Sequence, residues 1–338
     1  MNKKLIGIVL GVGALVAIGL GVVLSLKTKE LKSHIQQTLN TNLESFASKH
    51  ADLITQWEPI SCSGIIKVGC YSPKIVIGDS ERKAFILKDV GFDIDSMDST
   101  SLKASLNIKD IKLEDKSTEQ QGDDEKEWAA LLLSFMPHKL QCDVSLKHDD
   151  DKLLQGLDCT MTAKNISFQI KNDSIYEHAD FKAQSFDQIL QDFYFKWLSQ
   201  GNDTQFNDYK YRLKSAALKI QGNGFRKDIY KLYELKSKQD NEVASQEGFE
   251  KAVAEVVDKF VRRLISELGS EYSDKCEEIG DAITSLALGT SREINFLLQG
   301  KRYNKDYYRD YIYLKNLDDE VRWYFYITDQ FFLKVREQ

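Results

Sequence analysis

The chain has 338 residues, with 46 Lys and Arg against 52 Asp and Glu, a net charge of -6. Its 42% hydrophobic and 29% charged fractions are those of a folding chain, not a disordered one. Only 3 Pro are present, which excludes long Pro-rich linkers, and an acidic balance without a basic block argues against nucleic acid as a partner.

Residues 1–4 form a short head containing Lys3 and Lys4. Residues 5–26 then hold 22 residues without a charge. As an α-helix this run reaches ~33 Å, the thickness of a bilayer core, and predicts a transmembrane anchor. A cleaved signal peptide is the competing reading, but its apolar part runs ~7–15 residues and ends at a small-residue site. Gly13, Ala17, Gly21 and Ser25 recur every four residues, which makes them candidates for pairing with a second membrane helix. Lysines flank the run on both sides, so charge alone leaves the orientation tied. The short head favours a cytoplasmic amino terminus and an exported body.

After the anchor, Leu31, Ile35, Leu39, Leu43 and Phe46 predict an amphipathic helix within residues 27–50. Residues 51–240 read as a β-rich domain. Ile66, Val68 and Cys70 alternate, as do Leu102, Ala104, Leu106 and Ile108; the phase then slips to Ile111 and Leu113, which predicts a bulge. Residues 116–127 read as an acidic loop, followed by a short helix ended by Pro137. A hairpin turning at Asp150-Asp151 would put Val144 opposite Leu157 and Cys142 opposite Cys159. Period-2 alternation selects that register, and opposed strand residues lie within disulfide reach. Cys62 and Cys70 form the second expected pair, provided that the chain reverses near Ser63-Gly64. Cys276, in a helical pattern, is expected to be a lone buried thiol. Four paired cysteines point to an oxidising compartment.

Ser185 and Gln188 fit a capping box opening a helix, residues 206–221 read as a strand, and 225–238 as a helix. Residues 241–338 read as a helical block with an aromatic tail. Phe249, Val253, Val256, Phe260, Leu264 and Leu268 are assigned to one buried helix face, and Thr290 with Glu293 to the cap of a third helix. Between Tyr303 and Phe332, eleven of thirty residues are aromatic against 11% overall, and a terminal β-hairpin fits them. One of its faces has no core to enter, so Tyr303, Tyr307, Tyr311, Tyr313, Trp323, Tyr324, Tyr326 and Phe331 are partner-binding candidates. The tail is expected to be separable from a body that folds without it.

Nucleophile-elbow, zinc-protease and phosphate-loop motifs are absent. Asp93, Asp95 and Asp98 lack the Gly and closing Glu of a calcium loop, and His148-Asp149-Asp150-Asp151 reads as a polar hairpin tip. No catalytic, cofactor or metal residue is assigned. The fold class expected is α+β: a transmembrane helix, an antiparallel body of long strands, a helical block and the terminal hairpin. The short lysine head, the single anchor at 5–26 and the alternating strands beginning at Gly64 resemble the AsmA-like, inner-membrane-anchored bacterial envelope proteins. That resemblance implies a single-pass inner-membrane protein with a periplasmic body. The functional expectation is a non-enzymatic, membrane-anchored scaffold or assembly protein that binds the bilayer through 5–26 and a protein partner or its own copy. The alternative is a lipid-binding or lipid-transfer module with an apolar β groove.

Overall fold

The computed structural model describes residues 36–37, 39–41, 43–44, 47–48, 54–64, 68–79, 83–115, 123–190, 208–301, 311–313, 322, 326–328 and 330–338. The expected anchor at 5–26, with Gly13, Ala17, Gly21 and Ser25, lies outside them. So do Tyr303, Tyr307, Trp323 and Tyr324.

A single antiparallel sheet organises the described residues. Strands β1 (Ile54–Trp57), β2 (Ser61–Ser63), β3 (Val68–Asp79), β4 (Lys83–Met97) and β5 (Ser101–Asp115) come first, then helix α1 (Asp123–Ser134). Strands β6 (Lys139–Asp149), β7 (Lys152–Thr162) and β8 (Ile166–Glu177) follow, then helix α2 (Phe186–Ile189) and strand β9 (Lys210–Gly222). Three helices come next: α3 (Phe225–Gln239), α4 (Gln246–Leu268) and α5 (Ser273–Leu288). Strands β10 (Glu293–Gly300), β11 (Ile312–Tyr313) and β12 (Phe331–Glu337) complete the set. The strand order is β1-β3-β4-β5-β6-β7-β8-β9-β10-β12, with β2 beside β3 and β11 beside β9.

Register turns the sheet into two faces of opposite chemistry. One cross-strand row runs Cys62, Cys70, Phe92, Leu106, Cys142, Cys159, Ile170, Leu218, Phe296, Val335 and is apolar at every position. The next row, one residue along each strand, runs Ser61, Tyr71, Gly91, Asn107, Gln141, Thr160, Gln169, Lys219, Asn295, Arg336. Since side chains alternate along a strand, a sheet with one solvated face takes this pattern. The apolar face shares a buried cluster with Leu39, Leu43 and Ala47, which lie among the described helical residues 36–37, 39–41, 43–44 and 47–48, and with Phe186 and Ile189 of α2. Two of these residues are tied to the β1–β2 region: Asn40 donates to the Ile60 carbonyl and accepts from its N–H, and Gln36 accepts from the Cys62 N–H. At the far end of the same face, Ala282 and Leu286 of α5 bury Ile294 with Ile220, Phe296 and Val335. Between α4 and α5, Phe249, Val253, Val257, Val261 and Cys276 form a separate helical core.

The expected fold class needs correction in three places. No helix among the described residues is long and apolar enough to cross a membrane. The terminal hairpin does not form: β12 pairs with β10, β11 pairs with β9, and residues 326–328 are helical. The residues read as a third helix after Thr290 are strand β10, so the sheet resumes within the block expected to be helical. Ile294, Phe296 and Leu298 alternate, and β9 on one side with β12 on the other supplies their backbone partners, which outweighs a local cap signal. Thr290 instead closes α5, its hydroxyl donating to the Ser285 carbonyl.

Two smaller expectations also change. The acidic loop ends early, since residues 123–127 already belong to α1. The phase slip after Ile108 is not a bulge of one strand. Pairs Ser72–Val90–Ile108 and Ile75–Leu87–Ile111 keep one register, so β3, β4 and β5 change faces together, at the level of Asp89 with its φ of 53°.

Candidate functional site

Both disulfides lie in the apolar row. Cys142 joins Cys159 and Cys62 joins Cys70, each pair directly opposed across two strands. For Cys142–Cys159 the turn is Asp150-Asp151, with Asp150 at φ 56°, and Val144 faces Leu157, the register that alternation selects. Gly64, at φ 102°, opens the reversal that brings Cys70 to Cys62. Cys276 is free and wholly buried in α5, where desolvation raises its thiol pKa and works against thiolate chemistry.

The tail residues separate by burial. Tyr326 and Phe331 are each 7% exposed and belong to the main core, their rings 5.9 Å apart. The phenol oxygen of Tyr326 accepts a 2.9 Å hydrogen bond from the Leu213 N–H. These two leave the set of partner-binding candidates, because their rings complete the interior where β9 needs an acceptor. Tyr311 and Tyr313 are half-buried and meet edge to face at 5.4 Å, with Lys210 over the Tyr311 ring. Phe332, next to buried Phe331 on β12, is 57% exposed.

Helix α4 holds a second surprise. Its buried stripe is Phe249, Val253, Val257 and Val261, while Val256 is 67% and Phe260 42% exposed. The sequence reading merged two adjacent apolar stripes into one. Their i, i+4 spacings are alike, and only the position of α5 decides which one is covered.

The acidic motifs serve local structure. The Asp98 carboxylate accepts from the N–H and hydroxyl groups of Thr100 and Ser101, bonds that hold its pKa down at about 2 and close the β4–β5 turn. At the β6–β7 tip, His148 Nε2 lies 2.8 Å from the Asp150 carbonyl and Lys182 pairs with the Asp150 carboxylate. No cluster of metal-ligating side chains occurs among the described residues.

A further feature that sequence reasoning missed lies on the polar face. A trough of about 480 Å³ runs across β3 to β7, lined by Tyr71, Gly91, Asn107, Gln141 and Thr160 of the polar row. Asp89 accepts from the Tyr71 hydroxyl, a bond that raises the phenol pKa. Lys109 and Lys139 line the same trough. Beside it, burial and then the charges of Asp158 and Asp95 raise the Asp143 pKa. The row was invisible in sequence, because the pairing of β5 with β6 spans the residues between 115 and 139.

These features define a one-sided antiparallel sheet, stapled covalently at one end, with helices packed on parts of its apolar face while Ile170 in that face's central row stays 38% exposed. No family model matches the chain, and no curated protein matches it.

Proposed function

We propose that this chain is a non-enzymatic scaffold or assembly protein of the bacterial envelope, tethered to the inner membrane through the uncharged run at 5–26 with its body in the periplasm. The observation that carries the reading is the pair of disulfides set in one apolar row, since thiols persist as disulfides where the compartment oxidises them. The AsmA-like layout read from the sequence agrees with this placement. Val256 and Phe260 on α4, with Phe332 on β12, offer apolar anchors for a protein partner.

The tail is not separable as expected, because β12 is part of the sheet and Tyr326 part of its core. Photo-crosslinkers placed singly at Val256, Phe260 and Phe332 in intact cells are expected to capture one defined protein, or a second copy. Crosslinking no stronger than at the exposed loop residue Val243 would remove the scaffold reading. Alkylation under denaturing conditions, without reductant, is expected to tag Cys276 alone of the five cysteines. Labelling of all five would remove the compartment.

One observation favours the lipid-handling alternative. A slot of about 300 Å³ between the end of α1 and strands β4 and β5 is lined by Phe85, Ile111, Leu113, Leu133 and Met136. Leu39, Leu43, Phe186 and Ile189 already pack on part of the broad apolar face, so among the described residues a bound acyl chain is expected in this slot or beside exposed Ile170. Native mass spectra of the purified chain free of lipid would dismiss it.

A further inference from the structure

We propose that the trough on the polar face is a binding site for a linear, carboxylate-bearing oligosaccharide laid across the strands. The inference begins at Gly91. Glycine weakens the interior of a strand and is found there where a bulge, a strained backbone or a close approach requires it. Gly91 has no positive φ and pairs in regular register with Tyr71 and Asn107. A Cβ built on it meets nothing nearer than the Asn107 carbonyl at 3.9 Å. The space above this glycine is therefore open, and it is the floor of the trough.

The walls then define the chemistry. Tyr71 supplies an aromatic ring that is 39% exposed, and Asn107, Gln141 and Thr160 supply donors and acceptors on three successive strands. Strands stand ~4.8 Å apart. A β-linked pyranose chain repeats at close to that spacing, so each sugar ring meets the polar side chain of one strand. A hydroxyl-rich ligand uses such mixed donors and acceptors fully, whereas an apolar chain leaves them unpaired.

Charge complementarity supplies the carboxylate. The register that pairs Ile108 with Leu140 brings Lys109 alongside Lys139, and both line the trough together with two carboxylates: Asp89, which accepts from the Tyr71 hydroxyl, and Asp93, which lies on the other side of the Gly91–Asn107 pair from Lys109. Neither has an ion-pair partner among the described residues. Like charges opposed across strands are destabilising, and an anion between them relieves the repulsion. This site is separate from α4 and β12, so its fate is independent of the scaffold reading.

Calorimetric titration of the full chain in detergent tests it, with two probes: a β-1,4-linked N-acetylglucosamine–N-acetylmuramic acid tetrasaccharide, which bears carboxylates, and the neutral N-acetylglucosamine tetramer. The acidic probe is expected to bind about ten-fold more tightly, the size of one charge-assisted hydrogen bond. Gly91→Leu, which fills the floor, is expected to abolish binding of both. The double variant Lys109→Ala/Lys139→Ala is expected to bring the acidic probe down to the neutral one without lowering the melting temperature, since removing the facing charges relieves the fold. Should Gly91→Leu fail to fold, Gln141→Ala/Thr160→Ala on the solvated face replaces it, with the same expected loss. No binding of the acidic probe, equal affinity for the two probes, or unchanged binding in the filled-floor variant overturns the proposal.

Discussion

The two ends of the sheet hold their strands by different means. From β2 to β7 the sheet holds two disulfides, and except at α1 its neighbouring strands are joined by short turns. From β9 to β12 neighbours are far apart in sequence: Gly222 ends β9 and Glu293 begins β10, with α3, α4 and α5 between them. No disulfide braces this end among the described residues, and α5 packs on β10 and β12 instead. The stapled end limits what its unfolded chain can do. The braced end depends on apolar burial between helices and sheet. Chemical reduction should therefore reach the first end and spare the second, while core truncation among the helices should do the reverse.

The largest expected effect tests the braced end. Phe249 is 1% exposed and meets the rings of Tyr230 and Tyr233 at 5.1 and 5.8 Å. Phe249→Ala is expected to cost about 3–5 kcal/mol in denaturant unfolding. A fold of two cooperative units loses the helices first, and hydrogen exchange then speeds up in α4 and α5 while β3 to β7 stay protected. Uniform loss of protection would show that the two ends unfold as one.

Next comes the stapled end. Replacing Cys142 and Cys159 by Ser opens a loop with a sequence separation of 17, which on chain entropy costs about 3 kcal/mol. Urea unfolding of this variant is expected to show the loss in the strand signal. An unchanged midpoint would mean that the apolar row alone holds the register.

The smallest effect concerns charge on the stapled end's outer face. Burial, with Asp158 and Asp95 nearby, raises the folded-state pKa of Asp143, so the folded protein holds that proton more tightly than the unfolded chain does. The ionised form therefore opposes folding at neutral pH, and the opposition fades as pH falls through the raised pKa toward the ordinary carboxylate value of ~3.9. Asp143→Asn is expected to raise the melting temperature slightly at pH 7 and to leave it unchanged near pH 3. A lower melting temperature at pH 7 would show that the Asp143 carboxylate instead anchors a favourable contact.

The difference between the ends also marks how far the sequence could be read. In the β6–β7 hairpin, alternation and the two-residue turn fix each partner from a few neighbouring positions, and the cysteines fall opposite each other as a result. Ser185 and Gln188 form the capping box that their spacing announces. At the braced end the same local signals misled. Thr290 and Glu293 have the spacing of a cap but precede a strand, and Val256 and Phe260 have the spacing of a core face but point to water.

Local rules of period and turn were thus enough to specify the alternating strands, the helix positions from 225 to 288 and the opposition of Cys142 to Cys159, because each depends on residues within a turn or two. Only tertiary structure decided that β10 and β12 extend the same sheet, which stripe of α4 is covered, and that Gly91, Asn107, Gln141 and two lysines share one trough. Those outcomes depend on which distant segment supplies the hydrogen bonds and the burial, and no short window of sequence contains both partners.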